Sequence, residues 1–261
     1  MPKTMPLWGE VIPAFDPEKE TPNEMWLYPI DTDVPAPAVV IFPGGAYAFR
    51  SEDWEGEDIA AFYNRHGFHA FVVRYRVTPN YHPAPLADAQ RGIRLVRAHA
   101  AEWGVDPNRI FVCGFSAGGH LAASAAVLTE DVSAVGDALD EVDFRPNGAI
   151  LGYAVISGME QHGHTGSHHN LLGDAYDEMH TALSLQTRVD ETTPPCFIWH
   201  TAADTCVPVC HSLLLADALA KNGIPYELHN FPFGRHGMGL AHEVPEVSRW
   251  AEWSVDWIRR Q

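Results

Sequence analysis

The pentapeptide Gly114-Phe115-Ser116-Ala117-Gly118 places a serine between two glycines, a spacing that suits nucleophilic catalysis. It directly follows an apolar, β-branched run at residues 110–113 and precedes a helix-forming stretch at residues 121–128. A strand that turns into a helix at such a serine is typical of a nucleophile elbow, where crowding leaves room only for glycine two positions away on each side. We therefore predict that Ser116 is a nucleophile above a sheet edge, with the N-terminus of the following helix beneath it.

Two loops further along the chain carry the other groups that a serine nucleophile needs. A serine hydroxyl must be activated by an adjacent base, and a third group must orient that base. His236 lies in a glycine-flanked loop after the apolar run at residues 226–231, and Asp204 lies after the run at residues 196–200. The order serine, acid, histidine is one of the known chain orders of such triads. We predict that His236 is the base and that Asp204 is the acid.

Other interpretations of these two residues are open from the sequence. A turn or a helix-capping role would account for Asp204 alone, and a solvated loop position would account for His236 alone. Asp174 and Asp177, which precede the run at residues 196–200, are competing candidates for the acid. The chain order beside the predicted elbow favours the triad of Ser116, His236 and Asp204.

The loop Pro43-Gly44-Gly45-Ala46-Tyr47 directly follows an apolar run at residues 38–42. Acyl transfer needs backbone N–H groups aimed at the oxygen on which negative charge develops. Glycines allow a backbone to approach a substrate without a Cβ atom in the way. We predict an oxyanion hole formed by the N–H groups of Gly45, Ala46 and Ala117. An ordinary Pro-Gly-Gly turn is the alternative.

The elements that must position these groups alternate along the chain between strands and helices. Apolar runs predict strands at residues 38–42, 69–75, 110–113, 149–155, 196–200 and 226–231. Helical patterns are found at residues 54–65, 87–102, 117–128, 209–221 and 246–259. This order predicts an α/β fold with a mostly parallel central sheet and helices on both faces. The proline-rich opening is expected to add one or two antiparallel edge strands, because proline is tolerated there.

No internal repeat or low-complexity linker interrupts this order, which predicts a single domain over residues 1–261. Residues 157–193 contain no clean strand, and we predict that they form a short insertion that covers the site. Asp106-Pro107 is predicted to be a loop or a cap before the next strand. Three tryptophans at helical spacing near the end of the chain are expected to pack in the core: Trp250, Trp253 and Trp257.

Composition and charge limit the partners of the chain. Its 261 residues are 46% hydrophobic and 20% charged, which is ordinary for a soluble globular protein. A net charge of −17 makes nucleic acid and anionic membrane surfaces poor partners. The opening residues lack the pattern of a secretory signal, and no apolar run has the length of a membrane span. The chain has only four cysteines, which is typical of a protein whose thiols stay reduced, so we expect a cytoplasmic protein. The sequence leaves open whether the protein forms a homo-oligomer.

Two groups of residues are of types that can ligate a metal, but their spacing does not indicate a metal site. Cys206 and Cys210 have no matching second pair. The second group is a histidine-rich run: His162, His164, His168 and His169. Glycines at positions 163 and 166 disfavour a helix there, so these histidines need not share a face. We expect no metal and no cofactor, and we interpret the run as a polar loop that lines the site.

The chain resembles the α/β-hydrolase esterases, the broad group that includes acetyl esterases, acetylxylan esterases and the hormone-sensitive-lipase-like carboxylesterases. The segments that carry this resemblance are spread over about residues 38–240. They are Pro43-Gly44-Gly45-Ala46-Tyr47, Tyr75-Arg76-Val77, Leu86-Ala87-Asp88-Ala89, Asp106-Pro107-Asn108-Arg109-Ile110, residues 114–120, His200 with Asp204 and Val207-Pro208, and Gly234-Arg235-His236-Gly237. The hormone-sensitive-lipase branch usually has His-Gly-Gly-Gly where this chain has Pro43 and Ala46. This departure favours the small esterases that act on sugar esters.

The resemblance implies a serine carboxylesterase that hydrolyses short-chain acyl esters, acetyl esters in particular, of carbohydrates such as acetylated xylo-oligosaccharides. Tyr47 is expected to bind the substrate, and Phe49 and Trp54 are further candidates for stacking on a sugar ring. Packing of these aromatic residues against the following helix is the alternative. Amide cleavage, by an arylformamidase or a small peptidase, is the nearest enzymatic alternative, and a non-catalytic ligand-binding relative is a more distant one.

Overall fold

A computed structural model describes residues 2–19, 23–159 and 163–261. Their strands form an eight-stranded sheet in the order β1-β2-β4-β3-β5-β6-β7-β8. The strands are β1 (Lys3–Pro6), β2 (Glu24–Tyr28), β3 (Ala36–Phe42), β4 (His69–Val73), β5 (Val105–Phe115), β6 (Gly148–Gly152), β7 (Cys196–Thr201) and β8 (Tyr226–Phe231). The pairs β1–β2 and β2–β4 are antiparallel, and all other neighbours are parallel. The mostly parallel sheet and its antiparallel edge are therefore confirmed.

The bounds of β5 differ from the prediction, which placed a loop at Asp106-Pro107. The strand already begins at Val105, whose partner in β3 is Ala36, and the pairing then resumes at Ile110 opposite Ala38. The intervening residues form an irregularity in the strand, and the Asp106 carboxylate accepts the Asn108 N–H there at 3.0 Å. A local aspartate turn inside a bulged strand has the same sequence pattern as a loop, which explains the difference.

Eight α-helices are found among the described residues, which also contain a π-helical turn and three short 3₁₀ turns. The α-helices are α1 (Asp58–Arg65), α2 (Ala84–Ala98), α3 (Ala100–Trp103), α4 (Ser116–Val127), α5 (Thr165–Leu172), α6 (Tyr176–Met179), α7 (Cys210–Lys221) and α8 (Pro245–Arg260). The π-helical turn covers Asp53–Glu57, directly before α1. Within the described ranges, none of the helices is long and apolar enough to cross a membrane.

The core lies on both faces of the sheet. Along β3, Ala38, Val40 and Phe42 pack with side chains of α2, α4 and α7, whereas Val39 and Ile41 pack with those of α1 and α8. Successive residues of a strand point to opposite faces, so burial on both sides requires a continuous apolar run. The helix α4 is buried along its whole length.

The C-terminal helix α8 presents its tryptophans to one face of the sheet. Trp250 and Trp257 are buried, which confirms the core packing expected of them. Trp253 is partly buried at the edge of the same cluster, and its ring stacks on Phe231 of β8.

The described part of residues 157–193 contains short helices and no strand, as expected. One expectation for this segment is wrong, because Gly166 lies inside the helix α5. His164 caps the N-terminus of α5, where its side chain accepts the Ser167 N–H at 3.2 Å. A cap at the first turn offsets the low helix propensity of a glycine. His162 lies outside the described residues.

Candidate active site

The topology brings four loops to one edge of the sheet. The loop at residues 43–47 follows β3, Ser116 follows β5, Asp204 follows β7 and His236 follows β8. These four strands are parallel to one another, and the carboxyl ends of parallel strands meet at the same edge. Residues up to 120 positions apart in the chain therefore come into hydrogen-bond distance here.

Ser116 has the strained backbone that the sequence predicts. Its φ angle is +53°, a left-handed conformation that is costly for a residue with a side chain. A Cβ atom at Gly114 would lie 2.1 Å from the carbonyl oxygen of Gly118, and one at Gly118 would lie 2.1 Å from that of Phe42. Both glycines are thus required by close backbone contacts at the turn from β5 into α4.

The His236 ring joins Ser116 to Asp204. Its Nε2 atom lies 2.8 Å from the Ser116 Oγ atom, and its Nδ1 atom lies 2.6 Å from Asp204 Oδ2. In a neutral ring that donates its Nδ1 proton to the carboxylate, Nε2 is free to accept the serine proton. The three predicted residues therefore form one continuous chain of hydrogen bonds.

The other oxygen of Asp204 is held by the backbone. Oδ1 accepts the N–H groups of Cys206 at 2.8 Å and of Val207 at 2.9 Å. Burial opposes ionisation of this carboxyl, but hydrogen bonds from His200, His236 and the Val207 N–H outweigh it and hold the pKa of Asp204 well below its usual range. Asp204 is therefore a fixed partner for the histidine, and its lowered pKa favours the charged carboxylate at neutral pH.

The competing acids lie elsewhere. The described hydrogen-bond partners of the His236 ring are Ser116 and Asp204. Asp174 and Asp177 are exposed on the short helical turns of the 157–193 segment, away from this chain of hydrogen bonds.

The loop after β3 has three successive residues with positive φ angles. Gly45, Ala46 and Tyr47 have φ angles of +137°, +53° and +57°. In the described part of the chain, no hydrogen bond uses the N–H of Gly45 or Ala46, and both residues line the same cavity as Ser116. Ala117 is the second residue of α4, so its N–H is one of those that a helix leaves unpaired at its N-terminus. The three predicted donors are thus available around Ser116.

The 157–193 segment supports this loop from outside. Asn170 of α5 donates from Nδ2 to the carbonyl oxygen of Ala46 at 2.9 Å. Because Ala46 has a left-handed backbone, this bond helps to hold a conformation that the residue would not keep by itself. The predicted site-covering segment therefore also contacts the predicted oxyanion loop.

The structure places Tyr47 differently from its expected role as a substrate contact. Its side chain is only 2% exposed, and its hydroxyl lies 2.9 Å from Nδ1 of the buried His120. Burial lowers the pKa of His120 to about 3, so that ring is neutral and its Nδ1 accepts the tyrosine proton. The aromatic side chains that do line the cavity are Phe49 and Trp54, which are 58% and 45% exposed. Tyr47 is thus packed in the core, but against Tyr75 and His120 and not against the following helix α1, and the exposed pair replaces it at the cavity.

The cavity around Ser116 has a volume of about 310 Å³. We call it the Ser116 cavity; its wall includes Ala46, Phe49, Trp54, His164 and His236. His164 therefore lines the site, as expected of the histidine-rich run. His168 is instead buried behind it, where burial lowers its pKa to about 4.

The described residues contain no group of three or more His, Cys, Asp or Glu side chains with metal-binding geometry. Cys206 and Cys210 are free thiols, and the Cys206 Sγ atom lies 3.7 Å from His164 Nε2 at the Ser116 cavity. Cys113 and Cys196 are buried in the strands β5 and β7.

The sequence does not indicate that one acidic residue of the site, Glu55, is buried. Glu55 is 2% exposed, and its Oε2 atom accepts the Gly44 N–H at 2.8 Å. Its Oε1 atom accepts the Tyr153 hydroxyl proton at 2.6 Å, and the Tyr153 oxygen in turn accepts the Gly239 N–H at 2.9 Å. Glu55 stands in an acidic segment that resembles a solvated helix start, so no local pattern marks it as buried.

The mostly parallel sheet, with a strained serine at the turn from β5 into α4, is typical of the α/β-hydrolases, and the relatives that the chain resembles include proteins named acetylxylan esterase and probable carboxylic ester hydrolase. Residues 26–219 match the model of the BD-FAE family, and the chain belongs to this family.

Two curated relatives and one solved structure are especially similar. Endo-1,4-beta-xylanase B of Butyrivibrio fibrisolvens is 38% identical over 228 residues, which are 85% of this chain and 35% of that protein. The acetylxylan esterase of Xylanibacter ruminicola is 34% identical over 208 residues, which are 78% of this chain and 41% of that protein. The chain thus spans well under half the length of both relatives. The crystal structure of an acetyl ester-xyloside bifunctional hydrolase from Caldicellulosiruptor lactoaceticus has a TM-score of 0.92 and 41% identity, and the match covers 99% of this chain and 96% of that chain.

Proposed function

We propose that this chain is a serine esterase that removes acetyl and other short acyl groups from esters of carbohydrates, such as acetylated xylo-oligosaccharides. The observation that carries the proposal is the continuous hydrogen-bonded chain from Ser116 Oγ through the His236 ring to Asp204, at a cavity bordered by Gly45 and Ala46. A base 2.8 Å from a strained serine hydroxyl is the arrangement that activates a serine toward an ester carbonyl.

The proposed reaction has two halves. Ser116 Oγ attacks the ester carbonyl carbon while His236 Nε2 takes the hydroxyl proton, and the N–H groups of Gly45, Ala46 and Ala117 donate to the oxyanion. The proton then passes from His236 to the departing alcohol, which leaves an acyl group on Ser116. A water molecule attacks this acyl-enzyme while the same ring takes one of its protons, and the ring then returns that proton to Ser116 Oγ as the bond to the acyl group breaks and the carboxylic acid leaves. Asp204 keeps the ring oriented and stabilises its charged form in both halves.

The features of the Ser116 cavity support a small acyl group and a sugar alcohol. The Ala46 side chain stands in the wall of the cavity beside the proposed oxyanion hole and narrows the space for an acyl chain. Phe49 and Trp54 offer exposed aromatic faces that can stack on the apolar face of a pyranose. The names of the similar acetylxylan esterase and acetyl ester-xyloside hydrolase support the same substrate class.

Replacement of Ser116 by alanine tests the proposed nucleophile. We expect a folded protein whose kcat for p-nitrophenyl acetate falls by roughly 10³ to 10⁶, because the hydroxyl that attacks the ester carbonyl is then missing. Ser248→Ala at the start of α8 is the matched control and should keep the parental kcat. Parental protein, but not Ser116→Ala, should also react with a fluorophosphonate probe. Activity of Ser116→Ala within about tenfold of the parent would refute the assignment.

A series of p-nitrophenyl esters from acetate to decanoate, with acetylated xylo-oligosaccharides, tests the substrate class. We expect acetate to have the highest kcat/KM and the values to fall gradually, because each methylene that a pocket rejects costs only about 1 to 3 kcal/mol. Faster turnover of octanoate or decanoate than of acetate would contradict a small acyl site. An N-formyl aryl amide serves as the substrate for the amidase alternative, and faster cleavage of this amide than of any ester would favour that alternative.

A further inference from the structure

A second cavity adjoins the Ser116 cavity. Its volume is about 360 Å³, and we call it the Leu240 cavity. Trp54, Arg235 and Gly237 line both cavities, so the Trp54 side chain stands at the boundary between them. A ligand in the Ser116 cavity that extends past Trp54 therefore enters the Leu240 cavity.

The lining of the Leu240 cavity combines an apolar base with polar groups at its rim. Met238 and Leu240 are buried in the cluster beneath, and Trp54 presents its exposed indole. Asp58 and His242 are exposed polar residues at the same cavity. A pyranose has an apolar face of C–H groups and a rim of hydroxyls, which this combination can stack on and hydrogen-bond.

The charges of the cavity favour a neutral ring. Its carboxylates are Asp58 and Glu243, and its cation Arg235 is already paired with Glu243 at 2.8 Å. An acidic sugar would meet the free carboxylate of Asp58 without an unpaired cation to offset the repulsion, whereas hydroxyl groups can donate to it.

The turn that carries Trp54 contacts two loops of the proposed catalytic site. Trp54 lies in the π-helical turn Asp53–Glu57, next to Glu55, which binds the Gly44 N–H. Gly239, in the loop that carries His236, packs so closely on this turn that a Cβ atom there would lie 2.6 Å from the Trp54 carbonyl oxygen. A ring stacked on Trp54 would therefore be placed accurately relative to Ser116.

We propose that the Leu240 cavity is a subsite for a second, neutral pyranose unit of an oligosaccharide whose acetylated unit occupies the Ser116 cavity. This inference rests on the proposed function. The subsite makes the protein selective for oligosaccharide esters over acetylated monosaccharides, because the second sugar unit contacts Trp54, Asp58 and His242.

The test compares kcat/KM for acetylated xylose, xylobiose and xylotriose. In the parental protein we expect a clear rise from xylose to xylobiose and little further rise to xylotriose. In Asp58→Asn and in His242→Ala, we expect the xylobiose-to-xylose ratio to fall about three- to tenfold, the size expected for loss of one hydrogen bond. Asp217→Asn, the same change on the exposed surface of α7, should keep the parental ratio. Equal kcat/KM values for acetylated xylose and xylobiose in the parental protein would overturn the subsite.

A second measurement separates failure of the subsite from failure of the proposed substrate class. Unacetylated xylobiose is used as an inhibitor of p-nitrophenyl acetate hydrolysis. Inhibition that is stronger than that by xylose, and that weakens in Asp58→Asn, would support the subsite even if no acetylated sugar were hydrolysed. If xylose and xylobiose inhibited equally, or if neither sugar inhibited, the subsite would be overturned, while the esterase proposal would remain in place.

A different set of contacts carries a second inference, about Glu55. Its carboxylate connects two loops of the site, because it binds Gly44 directly and Gly239 through the Tyr153 hydroxyl. Burial raises the pKa of Glu55, and the hydrogen bonds from Tyr153 and Gly44 oppose that rise. Both oxygens accept a hydrogen bond, which is the arrangement of a charged carboxylate.

Glu55 also lies close to the histidine. It lines the Ser116 cavity together with His236, and its partner Tyr153 packs edge-on against the His236 ring with 4.9 Å between ring centres. We infer that Glu55 is a positioning residue that aligns the oxyanion loop with the histidine loop and provides a second negative charge that stabilises the protonated ring during the proposed reaction.

The variants Glu55→Gln and Tyr153→Phe separate the two roles. Glu55→Gln removes the charge, so we expect a lower kcat with little change of KM, and a shift of the acid limb of the kcat/KM profile to lower pH. Tyr153→Phe breaks the link to Gly239 but keeps the charge, so kcat should fall without that shift. A Glu55→Gln profile that coincides with the parental one, in midpoint and in plateau, would overturn the inference. If Glu55→Gln does not fold, a parental kcat in Tyr153→Phe would overturn it instead.

Discussion

Asp88 in α2 and Asp204 after β7 both have side chains with no exposed surface, yet their partners differ in kind. Asp88 accepts hydrogen bonds from the Arg76 side chain at 2.9 Å, from the Arg76 N–H at 2.7 Å and from Trp8 Nε1 at 2.7 Å. Arg76 is buried as well, so the pair is closed off from water. Asp204 instead contacts His236, whose side chain is 20% exposed at the Ser116 cavity.

The difference teaches what makes a buried carboxylate useful for chemistry. An arginine keeps its proton at every pH that a protein tolerates, so the pair of Asp88 and Arg76 can only hold elements together. A histidine can gain or lose a proton in the range in which most proteins work, and the His236 ring lies within hydrogen-bond distance of Ser116 Oγ. Both carboxylates are buried. They differ in that the partner of Asp204 is a side chain that can take up and release a proton at an accessible cavity, as the proposed reaction requires.

The largest expected effect that bears on this comparison is that of Asp204→Asn. An asparagine can donate to His236 Nδ1 and so favours the ring tautomer that cannot accept the serine proton, and we expect kcat to fall by roughly 10² to 10⁴. Steady-state kinetics with p-nitrophenyl acetate measures the loss. Asp174→Asn and Asp177→Asn are the matched controls and should retain parental kcat. A severe loss in either control together with a mild loss in Asp204→Asn would mean that the acid lies in the 157–193 segment.

Asp88→Asn should affect stability instead of chemistry. Removing the charge leaves Arg76 buried without its partner, which typically costs about 3 to 5 kcal/mol. Urea unfolding should reveal this loss, while kcat of the folded fraction at low temperature stays close to the parental value. Asp217→Asn, which breaks the exposed pair with Lys221, should leave the unfolding midpoint unchanged. A parental unfolding midpoint for Asp88→Asn would remove the contrast between the two aspartates.

The pH dependence of kcat/KM gives a finer test. Because the pKa of Asp204 is lowered, its carboxylate stays charged throughout the range in which histidines titrate, about pH 6 to 7. The rate should therefore rise with pH through a single ionisation, as the base loses its proton. Asp88→Asn should keep the parental midpoint, whereas the residual activity of Asp204→Asn should have a lower midpoint, since the charged ring loses its stabilising partner. An increase of the rate as the pH falls below this range would contradict a histidine base.

Local physical requirements explain why much of the fold and of the candidate site could be predicted. The elbow at Ser116 needs glycine at two positions because backbone atoms pass close to both of them, and the apolar runs of the parallel strands must be continuous because both of their faces are buried. The placement of Asp204 and His236 follows from the rule that parallel strands end at one edge of a sheet. The predicted chain of three residues is accordingly present in the structure, although its catalytic role stays a prediction.

The sequence by itself therefore determined the α/β fold, the elbow and the loops that carry the proposed triad, because each depends on a short pattern with a local cause. Only the tertiary structure decided which aromatic rings face the cavity, which acid in the segment 53–57 is buried, and how the loop at residues 43–47 is supported. These outcomes depend on contacts between residues far apart in the chain: Tyr47 with His120, Glu55 with Tyr153, and Asn170 with Ala46. No short window of sequence contains both partners of such a contact, so the energy that places the side chain appears only when the fold is complete.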